Sequence, residues 1–375
     1  MSRQRYTGET VLEAARRRVA FVFEHFETVI VSVSGGKDST CLAHLALAEA
    51  HRRGRRVGIF VLDEEVMYQS SVDQVDYLMS LMPESTTRLW LQVPFFLTNA
   101  TSLTAGQLSA WEPGEHKLWM RPKRGDAMKA KPWRPEHETV RDRAKGFGFY
   151  DALDCFARCY PGAAFLVGLR AAGESPNRWR AVTKHPVAIG GERVYWGTAK
   201  DNTTSLYPIY DWNASDVWKY IATEGLRYSR IYDFQHKIGY PQNERRVSSL
   251  IHERSFRCIA DLPAFEPKTY AKLQKRIKGI ALAQEAGKAA KLFRCRKLPQ
   301  NFRSWRTYRD FLLSTHPDAE RRPIFATRFA RHLDNEHVAR QQCRQLVCND
   351  YENNLTIENV EDPRDALIRT YEEAL

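Results

Sequence analysis

The 375-residue chain has no run of 18 uncharged apolar residues, so nothing in it has the pattern of a membrane-spanning helix. Its opening residues, Met-Ser-Arg-Gln-Arg-Tyr, lack the apolar stretch of a secretory signal, and a cytoplasmic protein is expected. Cysteine is sparse and odd in number. Seven residues (Cys41, Cys155, Cys159, Cys258, Cys295, Cys343 and Cys348) are scattered along the chain with no tight Cys-x-x-Cys knuckle, which argues against a disulfide framework and for reduced thiols. His332, His337, Cys343 and Cys348 have the side-chain types that zinc takes. Their spacing does not keep them on one face of a continuous helix, so surface histidines and half-buried thiols are the expectation there.

Acid is short in one region only. From Pro241 to Asp350 there are 23 Lys/Arg against 11 Asp/Glu, while the remainder is balanced at 34 against 34, so the formal charge of +12 belongs to the C-terminal part. A basic lobe of this kind suits DNA or RNA, or serves solubility alone.

What the chain does have is a strand, a glycine turn and a helix start in one line. The apolar run Val29 to Val33 leads into Ser34-Gly-Gly-Lys-Asp-Ser39, followed by the helix-like stretch Thr40 to Ala50. Backbone N–H groups at such a helix start, aided by the helix dipole, hold phosphate oxygens. A Walker A loop would place a hydroxyl after the lysine, and Asp38 is there instead. In this loop the Gly35 and Gly36 amides would cradle an anion, Lys37 would add charge, Asp38 would hold a hydrated Mg²⁺, and Ser34 and Ser39 would add hydroxyls. A plain serine-capped glycine turn is the alternative.

Helical periodicity over Val11 to Phe26 precedes this loop. Beyond it, the apolar run Val57 to Leu62 predicts a buried strand that delivers Asp63 and Glu64 at its carboxyl end, to bind ribose or magnesium or to cap the next helix. A helix over Ser71 to Met82 and a strand over Arg88 to Val93 follow. From about 94 to 145 the pattern breaks. Trp111, Trp119 and Trp133 lie there among basic residues, either to stack bases or to pack the insertion down. A helix at Phe149 to Cys159, with Cys155 and Cys159 on one core-facing side, leads to a strand at Ala164 to Leu169 and then to Arg170. Asn213 or Ser215 starts a short helix to about Ile221. The expected fold class is α/β: a mostly parallel sheet with flanking helices over residues 1–240, then a basic, mainly helical region over 241–375 with an acidic tail.

The Ser34 to Ser39 loop resembles the PP-loop of the N-type ATP pyrophosphatases, the adenine nucleotide alpha hydrolases. Together with Gly-x-Arg-x-x-x-Glu-Ser from Gly168 to Ser175 and Pro-x-x-Asp-Trp-x-x-x-Asp-Val-Trp from Pro208 to Trp218, it resembles the phosphoadenosine phosphosulfate reductase and ATP sulfurylase small-subunit branch. The resemblance implies a Rossmann-related fold, ATP and Mg²⁺ as cofactors, and cleavage at the α-phosphorus with pyrophosphate leaving. It also implies Lys37, Asp38 and Arg170 as the chemical centre, a nucleotide site continued by Gly168, Glu174 and Arg178, and a wall shaped by Asp211, Trp212 and Asp216. The whole chain resembles an uncharacterised reductase-like subfamily that includes the IbrA-type prophage co-activators. That likeness implies a setting around DNA or mobile elements and a ParB-like protein partner.

One departure limits the likeness. The sulfonucleotide reductases carry a nucleophilic cysteine in a Glu-Cys-Gly-x-His-like tail, whereas Cys343 lies in Gln-Gln-Cys-Arg-Gln and Cys348 in Leu-Val-Cys-Asn-Asp. Reductase activity is therefore not expected. Two readings stand: an adenylating enzyme acting on nucleic acid or a partner-carried group, or a nucleotide-gated DNA-binding regulator without net catalysis.

Overall fold

The structure, a computed structural model, describes residues 8–101, 106–128, 147–171, 182, 186–200, 203–247, 249–252, 256–281, 297–351, 353 and 355–361. The chain divides into two compact units, Met1–Phe95 with Arg121–Val247, and Phe96–Met120 with Ser248–Leu375.

In chain order the elements up to the middle of the molecule are α1 (Val11–His25), β1 (Val29–Ser32), α2 (Lys37–Arg52), β2 (Val57–Leu62), α3 (Gln69–Ser80), β3 (Thr86–Leu91), β4 (Phe95–Thr98) and β5 (Gln107–Ala110). Next come α4 (Phe149–Arg158), β6 (Ala164–Val167), β7 (Val187–Ile189), β8 (Glu192–Val194), β9 (Gly197–Lys200), β10 (Thr203–Leu206), α5 (Ala214–Thr223) and α6 (Ile231–Lys237). The C-terminal helices are α7 (Phe256–Phe265), α8 (Pro267–Arg276), α9 (Trp305–Ser314), α10 (Arg322–Phe329) and α11 (Glu336–Val347).

The first unit is built on a six-stranded sheet in the order β3-β2-β1-β6-β10-β9. All pairings are parallel except β9 against β10. Alternate residues of the strands serve opposite faces. Val31, Ile59 and Leu166 join α1, α2 and α5 residues in one core, while Phe60 stacks on Phe156 of α4 at a centroid distance of 3.7 Å on the other face. Burial on both faces explains why β2 is apolar at every position, as parallel strands covered by helices require. Helix α1 begins with a reciprocal cap: Thr10 Oγ1 accepts from the Glu13 N–H at 3.2 Å, and the Glu13 carboxylate accepts from the Thr10 N–H at 2.9 Å.

The expected α/β architecture is therefore what the chain adopts. The pattern of the sequence did not reveal β7 to β10: each is only three or four residues long, and β8 and β10 are largely polar and partly exposed. The interruption at 94–145 also contains strands: β4 and β5 form their own two-stranded sheet.

In the second unit, α10 and α11 enclose a small core of Phe325, Phe329, Leu346 and Tyr351. Ser304 caps α9 by accepting from the Thr307 N–H at 3.1 Å, and Asn335 caps α11 by accepting from the Val338 N–H at 2.8 Å. Trp111 is fully buried and meets the half-buried Trp119 edge to face at 5.4 Å, so Trp111 packs the unit and is not open to stack bases; Trp133 lies outside the described residues. No helix among the described residues is long and apolar enough to cross a membrane.

Candidate functional site

Strand order turns back beside β1. The chain runs from β1 outward to β2 and β3, and later places β6 on the other side of β1, which leaves a crevice at the carboxyl ends of β1 and β6. The Ser34 to Ser39 loop leaves β1 at this crevice, and Gly168 to Arg170 leave β6 there. Gly35 has φ +73°, a conformation that β-carbon-bearing residues avoid, and a Cβ on it would lie 2.5 Å from the Ser71 carbonyl oxygen. A Cβ on Gly168 would lie 3.0 Å from the Ser39 amide nitrogen, so the β6 turn sits directly against the start of α2.

Gly36 is the N-cap of α2, and its carbonyl accepts from the Thr40 N–H, the Ser39 hydroxyl and the Thr40 hydroxyl at 3.0, 3.0 and 2.9 Å. These bonds fix the loop from below. Ser34 is tied across it, its N–H donating to Ser39 Oγ at 3.3 Å. Lys37 and Arg170 then converge on Asp38. Lys37 Nζ lies 3.0 Å from Asp38 Oδ2, and Arg170 Nε donates to Asp38 Oδ1, while Arg170 Nη1 also reaches the Trp212 carbonyl at 3.3 Å. Side chains of Lys37 and Arg170 are only 8% and 10% exposed, so two cations converge on one carboxylate in a poorly hydrated corner. Such a corner favours an incoming anion.

Other expected residues fall into different places. Asp63 is fully buried, and both its oxygens are engaged by protein donors: Oδ1 by the Glu65 N–H at 2.9 Å and by Arg121, Oδ2 by Trp90 Nε1 and Gln92 Nε2, each at 2.8 Å. It braces the sheet edge from within. Glu64 is half-buried just beyond the end of β2. Asp211 grips Arg18 of α1 through both oxygens, at 2.8 and 2.7 Å, and Trp212 is buried with its indole N–H on the Val11 carbonyl at 3.0 Å. Asp211 and Trp212 therefore anchor α1, and only the Trp212 carbonyl touches Arg170. Asp216 caps α5 by accepting from the Asn213 N–H at 2.7 Å. Glu174 and Arg178 lie outside the described residues.

Three residues of this region were not singled out by the sequence. Tyr232 of α6 is buried, its hydroxyl accepts the Lys37 N–H at 3.1 Å, and its ring lies 5.3 Å from Lys37 Nζ. Burial and the Asp38 charge push its phenol well above the ordinary range. Arg18 and Arg121 look like surface arginines in the sequence. Arg18 does fall on the apolar face of α1, one turn from Ala15 and Val22, and that placement is the one cue available.

The six described cysteines form no disulfide. Burial drives the Cys41 thiol up, and drives that of Cys155 up to about 11. Cys343 and Cys348 are buried at 0% and 2% exposure, rather than half-buried as the sequence led one to expect. Cys343 Sγ lies 3.5 Å from the Trp305 carbonyl and His332 Nδ1 lies 2.9 Å from the Arg328 carbonyl; no three His, Cys, Asp or Glu side chains among the described residues group as a metal site. Alkylation of native Cys155 by iodoacetamide at pH 8 is expected to run at least about 10-fold slower than in the urea-unfolded chain, read by peptide mass mapping, because little thiolate forms. Equal rates would show an accessible, ordinary thiol.

A profile of the phosphoadenosine phosphosulfate reductase domain matches residues 28–263, and one described as a domain of unknown function (DUF3440) matches residues 239–347. The chain is 26% identical over 321 residues to the uncharacterized protein YbdN of Escherichia coli (strain K12), a likeness that takes in 82% of this chain and 76% of that protein. Among solved structures it is similar to phosphoadenylyl-sulfate (PAPS) reductase from Candida auris in a phosphate complex, at 11% identity and a TM-score of 0.35, over 62% of this chain and 94% of that one. Since the first profile takes in more than half of the sequence, from β1 through α6, the chain belongs to the phosphoadenosine phosphosulfate reductase domain family, with its nucleotide-binding PP-loop fold.

Proposed function

We propose that this protein binds ATP at the crevice between β1 and β6 and transfers its adenylyl group to an acceptor, releasing pyrophosphate. The observation that carries the reading is the convergence of Lys37 and Arg170 on Asp38 directly beside the glycine turn. The β- and γ-phosphates would lie against the Gly35 and Gly36 amides, where the start of α2 is positive, while the Lys37 N–H stays on the Tyr232 hydroxyl. Lys37 then stabilises the charge that builds on pyrophosphate as it leaves, and Arg170 steadies the α-phosphate. An acceptor oxygen or sulfur bonds to the α-phosphorus while the bond to the bridging oxygen breaks, and pyrophosphate departs with the electron pair. Asp38 holds both cations in register.

Mg²⁺ would enter with the nucleotide, since it takes most of its ligands from phosphate and water. Asp38, whose oxygens each already accept from a cation, would meet it through a water molecule. The ion would supply charge neutralisation at the leaving group. Nucleic acid, or a group carried by a ParB-like partner, is the acceptor class that the basic C-terminal charge favours. Sulfonucleotide reduction does not fit, because five of the six described thiols are buried, Cys159 is half-buried, and none lies in the required tail.

The test is to incubate the protein with α-labelled ATP, Mg²⁺ and DNA, RNA or the partner, and to measure AMP, pyrophosphate and labelled adduct. Lys37→Ala is expected to lower turnover about 100-fold or more. If wild type binds ATP yet yields no more product than Lys37→Ala with any acceptor, the nucleotide-gated regulator replaces this reading.

A further inference from the structure

Helix α9 of the second unit has no fully buried side chain, although its sequence is rich in aromatics. Phe302, Trp305, Tyr308 and Phe311 form a continuous chain of rings: Trp305 to Tyr308 at 6.2 Å, Tyr308 to Phe302 at 4.8 Å, and Phe302 to Phe311 at 5.1 Å. Phe311 at its end is 47% exposed, and the other three are half-buried. A helix that served only packing would sink these rings, which carry the largest apolar areas of any side chains.

The surrounding charge is as telling as the rings. From Lys297 to Arg309 the chain has four basic residues and no acid. Nearby acids are already committed: Asp310 and Asp334 pair with Arg309 at 2.8 and 2.5 Å, and Glu336 accepts from the Trp305 N–H at 2.7 Å and from Arg306 at 3.2 Å. Arg303 is exposed and Arg306 keeps 48% of its side chain in solvent. Arg340 lies 5.7 Å over the Trp305 ring, so the far end of the ring chain is also faced by a guanidinium. One exposed ring, continued by three half-buried ones and interleaved with arginines, matches a polymer that alternates flat bases with phosphates. An apolar protein partner would take the exposed Arg303 and the solvent-facing part of Arg306 out of water and add no charge to meet them, and a duplex, with its bases already stacked, would leave the rings unused.

We infer that the segment from Phe302 to Phe311 is a stacking platform for single-stranded nucleic acid, with bases against Phe311 and its neighbours and phosphates on Arg303 and Arg306. The inference rests on the reading that the basic C-terminal region meets a polynucleotide, and it needs nothing from the ATP site.

The experiment uses the full chain without nucleotide, and fluorescence anisotropy of labelled oligothymidine, oligouridine and a duplex at several salt concentrations. Wild type is expected to bind a single strand more tightly than the duplex, the two single-stranded arms telling DNA from RNA. Phe311→Leu, which keeps the apolar bulk but not the ring, is expected to weaken binding about 10-fold with the salt slope unchanged. The Arg303→Ala/Arg306→Ala double variant is expected to make the log–log salt slope shallower by about 1.4. Wild-type affinity in Phe311→Leu, or equal binding of duplex and single strand, overturns the platform while leaving polynucleotide binding intact. No binding by wild type overturns both.

Discussion

Asp63→Ala is expected to cost the first unit about 3–5 kcal/mol of stability, the size typical of removing one partner from a buried charge pair. Asp63 has 0% exposure, and its loss takes an acceptor from four donors at once: Arg121 Nη2, the Trp90 and Gln92 N–H groups and the Glu65 amide. Arg121 keeps its Nη1 bond to the Glu65 carbonyl at 2.7 Å, but its charge loses the carboxylate it faces, and the buried Trp90 and Gln92 cannot turn to water without moving the end of β3. Asp63→Asn keeps the volume but sets an amide N–H₂ against a donor, and it should recover little. Urea denaturation of both variants measures the effect. A loss below about 1 kcal/mol would mean that the donors find solvent and that Asp63 is not a brace.

Gly35→Ala is expected to weaken ATP binding more than about 100-fold, measured by calorimetric titration. At φ +73° alanine is strained by about 1–2 kcal/mol, and its methyl would have to share space with the Ser71 carbonyl, a backbone atom that no rotamer can relieve. The loop or the start of α3 must shift, and the amides that face the phosphates shift with it. Gly54→Ala separates strain from clash. Gly54 has φ +63° with nothing within 4 Å of the point where a Cβ would stand, so its variant should lose only the strain and bind ATP as wild type does. Comparable ATP affinity in the two variants would show that the close approach of Gly35 to Ser71 does not shape the phosphate site.

The legible part of this molecule was the part in which chemistry and periodicity coincide. β1, β2, β6 and the helices between them are runs of apolar residues with sharp glycine or acid stops, and the structure starts and ends them within a few residues of the expected places. The strand pair at 197–206 stayed hidden because, among the described side chains of Gly-Thr-Ala-Lys and Thr-Thr-Ser-Leu, Leu206 is the one large apolar group buried, so neither shows the alternation of a half-buried strand. In the site, Lys37, Asp38 and Arg170 were visible through local motifs, and the structure brings all three together. Asp63, Asp211 and Trp212 were visible as residues but not in what they touch, because a carboxylate facing a ligand and one facing an internal arginine look alike in sequence. Arg121 and Tyr232 carried no cue, and Arg18 only its place on the apolar face of α1: their roles arise from partners that are distant along the chain, such as Asp211, 193 residues from Arg18.

The meeting of Asp38 with Arg170 spans 132 residues of chain. On a ribosome making 5–20 residues per second, the glycine loop emerges roughly 7–26 seconds before its arginine does. Until then β1 has a neighbour on one side only, and the lysine and aspartate have each other but no crevice. Contacts of such long sequence separation close late and slowly. The nascent protein is therefore blind to nucleotide through about the first half of its synthesis, and ligand can stabilise it against misfolding only after β6 has been inserted.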